Sequence, residues 1–277
     1  MKIRAGFKLG YECVQPTPML LVLNIHPSRR IDLLTEQVLN FSPPIEAWNY
    51  TDNFGNACSR IVAPPGLLEI STGFEIYDSG QPDPVPEGAM AHPIQDLPDD
   101  VLVFLLGSRY CDTEKLSDFA WAQFGGTEPG WPRVKAIVDF VHNHIAFDYQ
   151  KADLLRTAHG GYTDKTGVCR DFAHLAITLC RCMNIPARYC TGYLGDIGVP
   201  RDPAPMDFSA WFEVYLSGHW HTLDARHNTP RIGRILMATG RDATDVALST
   251  NFGPSILKTF EVVTEEIPHG EADIASS

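Results

Sequence analysis

The chain has 277 residues, of which 44% are hydrophobic and 20% are charged, so it can bury at least one substantial core. Its formal net charge is −12 and it has no basic run, which argues against nucleic acid or an anionic membrane as a partner. Seven cysteines, without disulfide-framework spacing, favour a reducing, cytoplasmic compartment, and no apolar run is long enough to span a bilayer.

The first 78 residues read as strands separated by turns, with no amphipathic helix between them. Strands are predicted over residues 3–14, 19–25, 58–62 and 67–77, with a hairpin turn at 53–56. Such a run of short strands predicts a small N-terminal β-sandwich domain over residues 1–78. Residues 79–98 carry five prolines and two glycines, which is typical of an extended linker and predicts the domain boundary there.

Residues 99–277 mix helices and strands and are predicted to form the second domain. Hydrophobic spacing predicts helices over residues 112–124 and 132–147. Strands are predicted at 188–193, at 209–216, at 220–224 and at 260–265. Helices followed by antiparallel strands indicate the α+β class.

Cys169 stands where a Thr/Gly-rich loop turns into an apolar helix. Unpaired backbone N–H groups and the positive end of the helix dipole meet there, so the position favours a thiolate and hence a nucleophile. Arg170 beside it adds positive charge. The alternative is a small buried core residue, because free cysteine is among the most buried residue types.

About forty residues later, Ser209–Leu216 alternates like a strand, and residues 220–224 read as the returning strand that ends on Asp224. Together with the segment Gly-Val-Cys-Arg-Asp-Phe-Ala-His-Leu-Ala around Cys169, this arrangement resembles the transglutaminase-like cysteine peptidase superfamily. The resemblance is close over residues 166–224. It implies a papain-like core, with the nucleophile helix packed on an antiparallel sheet, behind the N-terminal β-domain. It also implies a Cys-His-Asp triad in which Cys169 and Asp224 hold the first and third positions.

The second position departs from the family pattern, because His-Ala-Trp-x-Glu-Val reads here with Ser209 in place of the histidine. A serine hydroxyl cannot act as a general base near neutral pH, whereas an imidazole can. His227, three residues beyond Asp224, is the best replacement. His174 and His221 are expected to point away from the thiol and from Asp224, respectively.

Two hypotheses follow. The first is a cofactor-free thiol hydrolase of peptide or protein amides that acts through an acyl-enzyme on Cys169, with transamidation less favoured. The oxyanion would be stabilised by the backbone N–H of Cys169. The second is a non-catalytic peptide- or protein-binding module that has lost its base. Trp211 and Trp220 are candidate substrate contacts, although buried core is their commoner role. No metal site is predicted, and the sequence leaves the oligomeric state open.

Overall fold

The N-terminal residues form two antiparallel sheets around a shared apolar core. The computed structural model describes residues 1–268. The strands of this part are β1 Lys2–Cys13, β2 Thr17–Leu21, β3 Asn40–Ser42, β4 Ala47–Thr51, β5 Ala57–Ala63 and β6 Gly66–Tyr77. One sheet contains β1, β6 and β3, and the other contains β2, β5 and β4. Ile3, Leu9, Leu21 and Ile61 are fully buried between them, which confirms the predicted sandwich.

The second part begins with helices and continues with an antiparallel sheet. Its elements are α1 Asp99–Leu102, α2 Thr113–Phe124, α3 Trp131–His144, β7 Ala146–Phe147, α4 Ala158–Asp164, β8 Thr166–Gly167, α5 Cys169–Cys182, β9 Ala187–Tyr193, β10 Ser209–Leu216, β11 His219–Leu223 and β12 Ile235–Gly240. The main sheet has the order β11-β10-β9-β12, and all of its pairs are antiparallel. The short strands β7 and β8 pair in parallel beside it.

Helix α5 packs on this sheet and is the most buried helix of the described residues. Leu175 and Leu179 of the helix share one core with Phe212 and Val214 of β10. This packing confirms the α+β class and the papain-like arrangement of helix on sheet. The predicted helix 132–147 is shorter than expected, because the backbone at Ile145 is already extended and β7 follows at once.

The last two strands return to the N-terminal sandwich. They are β13 Ser249–Asn251, which pairs with β2, and β14 Ser255–Ile267, which pairs with β1 along its whole length. The structure therefore differs from the predicted boundary, in which residues 99–277 formed the second domain alone. Side-chain alternation along the sequence indicates a strand but not the strand it pairs with. For this reason the sequence did not show that β1 pairs with β14 as well as with β6.

The Pro-rich segment 79–98 packs against the body of the protein. It has only one short helical turn, Ile94–Asp96, as expected for its proline content. Asp83 in this segment makes two hydrogen bonds with the backbone of Arg231: its N–H donates to the Arg231 carbonyl, and its side-chain carboxylate accepts the Arg231 N–H. The segment is thus fixed beside the chain that follows β11. Over the described residues 1–268, no helix has the length and apolar character needed to cross a membrane.

Candidate active site

The first turn of α5 holds Cys169 through contacts that are local in sequence. The Asp171 carboxylate accepts the Val168 N–H at 2.8 Å, which satisfies one of the donors that a helix start leaves unpaired. Arg156 donates to the same carboxylate oxygen at 3.2 Å. A side chain at position 167 would collide with this carboxylate, so Gly167 is required for the loop to approach the helix.

Cys169 is half-buried and lines a cleft of about 190 Å³. Burial raises the pKa of the thiol to about 11, although the Ala210 N–H and the nearby Arg226 act in the opposite direction. The sequence had favoured a thiolate at the start of the helix. In this structure the cost of burying the charge outweighs the Ala210 N–H and the Arg226 charge, so a base is needed to make the thiol a nucleophile.

Asp224 is buried at the end of β11, and both of its carboxylate oxygens are fully used. Oδ1 accepts the backbone N–H groups of Arg226 at 3.0 Å and His227 at 3.1 Å. Oδ2 accepts His227 Nδ1 and Arg234 Nη2, each at 2.8 Å. Burial alone would raise the pKa of Asp224, but these donors and the Arg234 charge hold it well below its usual range.

His227 is oriented by this carboxylate. Because its Nδ1 donates to Asp224, its Nε2 carries the lone pair when the ring is neutral. The imidazole is about 25% exposed and lines the same cleft as Cys169. Among the described residues, His227 and the Cys169 sulfur make no direct hydrogen bond. The loop is braced from α3, where His142 Nδ1 contacts the Arg226 carbonyl at 2.9 Å.

Ser209 also lines the cleft, at the start of β10. The hydroxyl therefore occupies the neighbourhood of the thiol, and His227 is the histidine that shares the cleft with it. His174 is fully buried, and its Nε2 accepts the Ala243 N–H at 3.2 Å, as expected for a core histidine. His221 contacts the Leu216 carbonyl at 3.1 Å.

Neither tryptophan lines the cleft that contains the thiol. Trp211 is 2% exposed, with the Arg234 guanidinium 5.0 Å from its ring centre. Trp220 packs edge-on against Phe104 at 5.3 Å, and Arg188 lies 4.2 Å above its ring. Of the residues described, the lining of the Cys169 cleft includes neither ring. Both rings pack against other side chains of the protein. The geometry therefore gives no support to the prediction that they contact the substrate.

The sequence analysis missed several cleft residues because they sit in irregular loops. Arg226 lies 3.7 Å above the Phe147 ring, and Tyr149 and Asp207 line the cleft beside it. Burial raises the pKa of Asp207, against the effect of the Phe208 N–H and of Arg226. No periodic pattern marks such positions. Arg226 and Asp207 are at least close in sequence to Asp224 and Ser209, whereas Tyr149 has no such signal.

The side chains of Arg231 and Arg234, in the chain that follows β11, are both buried. They are 6% and 7% exposed, and Arg234 pairs with Asp224 and with Asp83. Carboxylates compensate both charges: the buried Asp224 and the partly buried Asp83 face Arg234, and Asp196 lies 3.8 Å from Arg231. Within residues 1–268, no group of three or more potential ligands is arranged to hold a metal ion.

The comparisons with known proteins agree with this geometry. The profile of the Transglutaminase-like superfamily matches residues 119–225. The crystal structure of a candidate cysteine protease from Cytophaga hutchinsonii is 31% identical, with a TM-score of 0.84, over 98% of this chain and 92% of that one. The chain belongs to the transglutaminase-like superfamily. A match at this identity over nearly the whole of both chains extends the relationship beyond residues 119–225, to the β-sandwich as well.

A second match covers a shorter segment. An uncharacterised protein of Mycobacterium leprae is 36% identical over 87 residues, which is 29% of this chain. The match spans only 30% of the length of that curated relative. It therefore bears on one segment and not on the activity of either whole protein.

Proposed function

We propose that this transglutaminase-like protein is a thiol-dependent amide hydrolase of the cysteine peptidase type, with Cys169 as nucleophile and His227 as general base. The observation that carries the proposal is that Cys169 and the Asp224-held His227 line one cleft. The similarity of this chain to the candidate cysteine protease from Cytophaga hutchinsonii supports a peptide or protein as the substrate. The cytoplasmic location inferred from the cysteines stays a prediction.

The chemistry begins with a proton transfer. A thiol whose pKa is raised to about 11 is protonated at neutral pH, so His227 Nε2 removes its proton as the sulfur attacks the carbonyl carbon. Catalytic hydrogen bonds are often long without substrate and shorten in the complex, so the absence of a direct contact with the sulfur is compatible with this role. Asp224 holds the imidazole and stabilises its positive charge.

The tetrahedral intermediate then collapses. Its oxyanion faces the start of α5, where the Cys169 N–H has no partner inside the helix. The C–N bond breaks, the amine leaves with the proton from His227, and a thioester remains on Cys169. Water, deprotonated by His227, adds to the thioester and releases the acid and the thiol. We favour water over an amine as the acceptor, because within residues 1–268 no feature of the cleft points to a second, amine-binding subsite.

A generic acyl donor tests this proposal without knowledge of the natural substrate. Wild-type protein treated with p-nitrophenyl acetate should release p-nitrophenolate and carry an acetyl group on Cys169, located by peptide mass spectrometry. Cys169→Ala should lose both signals, and His227→Ala should slow acylation by roughly 10²- to 10⁴-fold. His219→Ala, an exposed histidine at the start of β11, is the matched control and should behave as wild type.

A folded wild-type protein that leaves Cys169 unacylated would contradict the proposal. The same holds if His227→Ala reacts as fast as wild type. Either result would favour the alternative, a peptide- or protein-binding module, for which the serine at position 209 is the main argument.

A further inference from the structure

Arg234 bridges two carboxylates from distant parts of the chain, the buried Asp224 and the partly buried Asp83. It lies immediately before β12, and its Nη2 donates to Asp224 Oδ2 at 2.8 Å. Its Nε donates to Asp83 Oδ2, in the Pro-rich segment, at 2.7 Å. The guanidinium plane also faces Trp211. These contacts allow the guanidinium a single orientation, because Nε and Nη2 point in fixed directions from one rigid plane.

The bridge acts on the oxygen that holds His227. Asp224 Oδ2 accepts both His227 Nδ1 and Arg234 Nη2, so the carboxylate cannot turn without losing one of them. The positive charge of Arg234 also opposes the formation of a second positive charge on the imidazole. Asp83, on the far side of the guanidinium, partly offsets that charge. The Arg234 side chain is 7% exposed, so solvent screens these interactions little.

We propose that Arg234 is a positioning residue for the Asp224–His227 pair, and that Asp83 sets how strongly the Arg234 charge acts on it. The inference rests on the proposed function, since it concerns the same base. The Pro-rich segment then does more than link two parts of the chain, because its Asp83 places a negative charge beside Arg234. Because the Asp83 N–H is bonded to the Arg231 carbonyl at 2.9 Å, the backbone holds that countercharge in place.

Several other charged or titratable groups face the pair. They are Lys135 and His142 of α3, Tyr149 after β7, Cys169 of α5, Asp196, Asp202 and Asp207 between β9 and β10, and Arg226 and Arg231 of the loop after β11. All of these groups remain unchanged in the variants below. A difference between variants therefore reports on Arg234 and Asp83.

The test is the pH dependence of Cys169 acylation by p-nitrophenyl acetate. In Arg234→Gln the positive charge beside the base is lost, so protonation of the base becomes easier and the acid limb of the profile moves to higher pH. Asp83→Asn keeps the shape but removes the negative charge, so the acid limb moves to lower pH. Each shift should be of the order of one pH unit or less. Arg234→Lys keeps the positive charge but lacks the planar guanidinium. The acid limb of its pH profile should therefore lie close to that of wild type, while its rate of Cys169 acylation should be below that of wild type.

The acid limb is expected to shift in opposite directions in Arg234→Gln and Asp83→Asn, and this separates a positioning role from a structural one. If Arg234→Gln and Asp83→Asn lower the rate but leave the acid limb in place, the inference is overturned while the proposed function stands. If His227→Ala keeps the wild-type acid limb, the proposed function fails and the inference fails with it. Should Arg234→Gln not fold, Asp83→Asn alone decides: a shift to lower pH supports the inference, and an unchanged or opposite limb overturns it.

Discussion

The two sides of the thiol cleft are built in different ways. On the nucleophile side, Gly167, Val168 and Asp171 set the position of Cys169 from within five residues of sequence, with Arg156 as an additional donor. The base side is assembled from distant parts of the chain: Asp224 and His227 follow β11, His142 comes from α3, Arg234 precedes β12, and Asp83 belongs to the Pro-rich segment.

The two sides therefore differ in how much they depend on the rest of the fold. The thiol is held by a local motif that does not include position 209. The proposed base, in contrast, depends on which side chain reaches Asp224, and in this structure it is His227 on the turn that follows β11. The comparison therefore predicts that the base position is interchangeable and the nucleophile position is not.

The largest expected effect tests that interchange directly. In the His227→Ala background, Ser209→His should recover part of the roughly 10²- to 10⁴-fold loss in acylation, because Asp224 is then free to orient a new imidazole beside the thiol. The measurement is the rate of p-nitrophenolate release at neutral pH. Ser209→Ala alone is the control and should change the rate little. A loss in Ser209→Ala as large as that in His227→Ala would show that the hydroxyl, rather than the histidine, is needed.

A second, smaller effect sharpens the description of the base side. Asp224→Asn breaks a buried ion pair and should lower the free energy of unfolding by about 3 kcal/mol at neutral pH. The folded-state pKa of Asp224 lies below its unfolded value of about 3.9, so its stabilisation is complete above that value and is lost as the pH falls towards the folded one. The difference between wild type and variant, measured by urea unfolding, should therefore shrink below about pH 4. A difference that grows on acidification would contradict this account.

The smallest effect concerns the nucleophile side. Asp171→Asn removes the charge of the carboxylate that accepts hydrogen bonds from the Val168 N–H and the Arg156 guanidinium. This substitution should lower the free energy of unfolding by about 1 kcal/mol. Asp164→Asn removes the other, 52% exposed partner of Arg156, and should cost only a few tenths of a kcal/mol, as expected for an exposed pair. Thermal and urea unfolding would measure both. Equal effects of the two substitutions would show that the helix cap contributes nothing beyond a surface ion pair.

Most of the fold followed from patterns along the sequence. Alternation identified strands at β1, β5, β6, β9, β10 and β11, and apolar spacing identified α2 and α5, within a few residues of their observed ends. The same patterns did not show that β14 pairs with β1, because a strand's period carries no information about its partner. Nor did they show that Trp211 is covered by Arg234, since strand alternation does not reveal which residue lies above a ring.

By itself the sequence determined the family, the start of α5 and the positions of Cys169 and Asp224, because each depends on residues close together in the chain. Only the tertiary structure decided three further points: that His227 reaches Asp224, that the thiol is buried enough to stay protonated, and that Arg234 and Asp83 lie behind the pair. Burial and the distance between charges are properties of the packed molecule. The reactivity of this site depends on both, whereas the identity of its nucleophile does not.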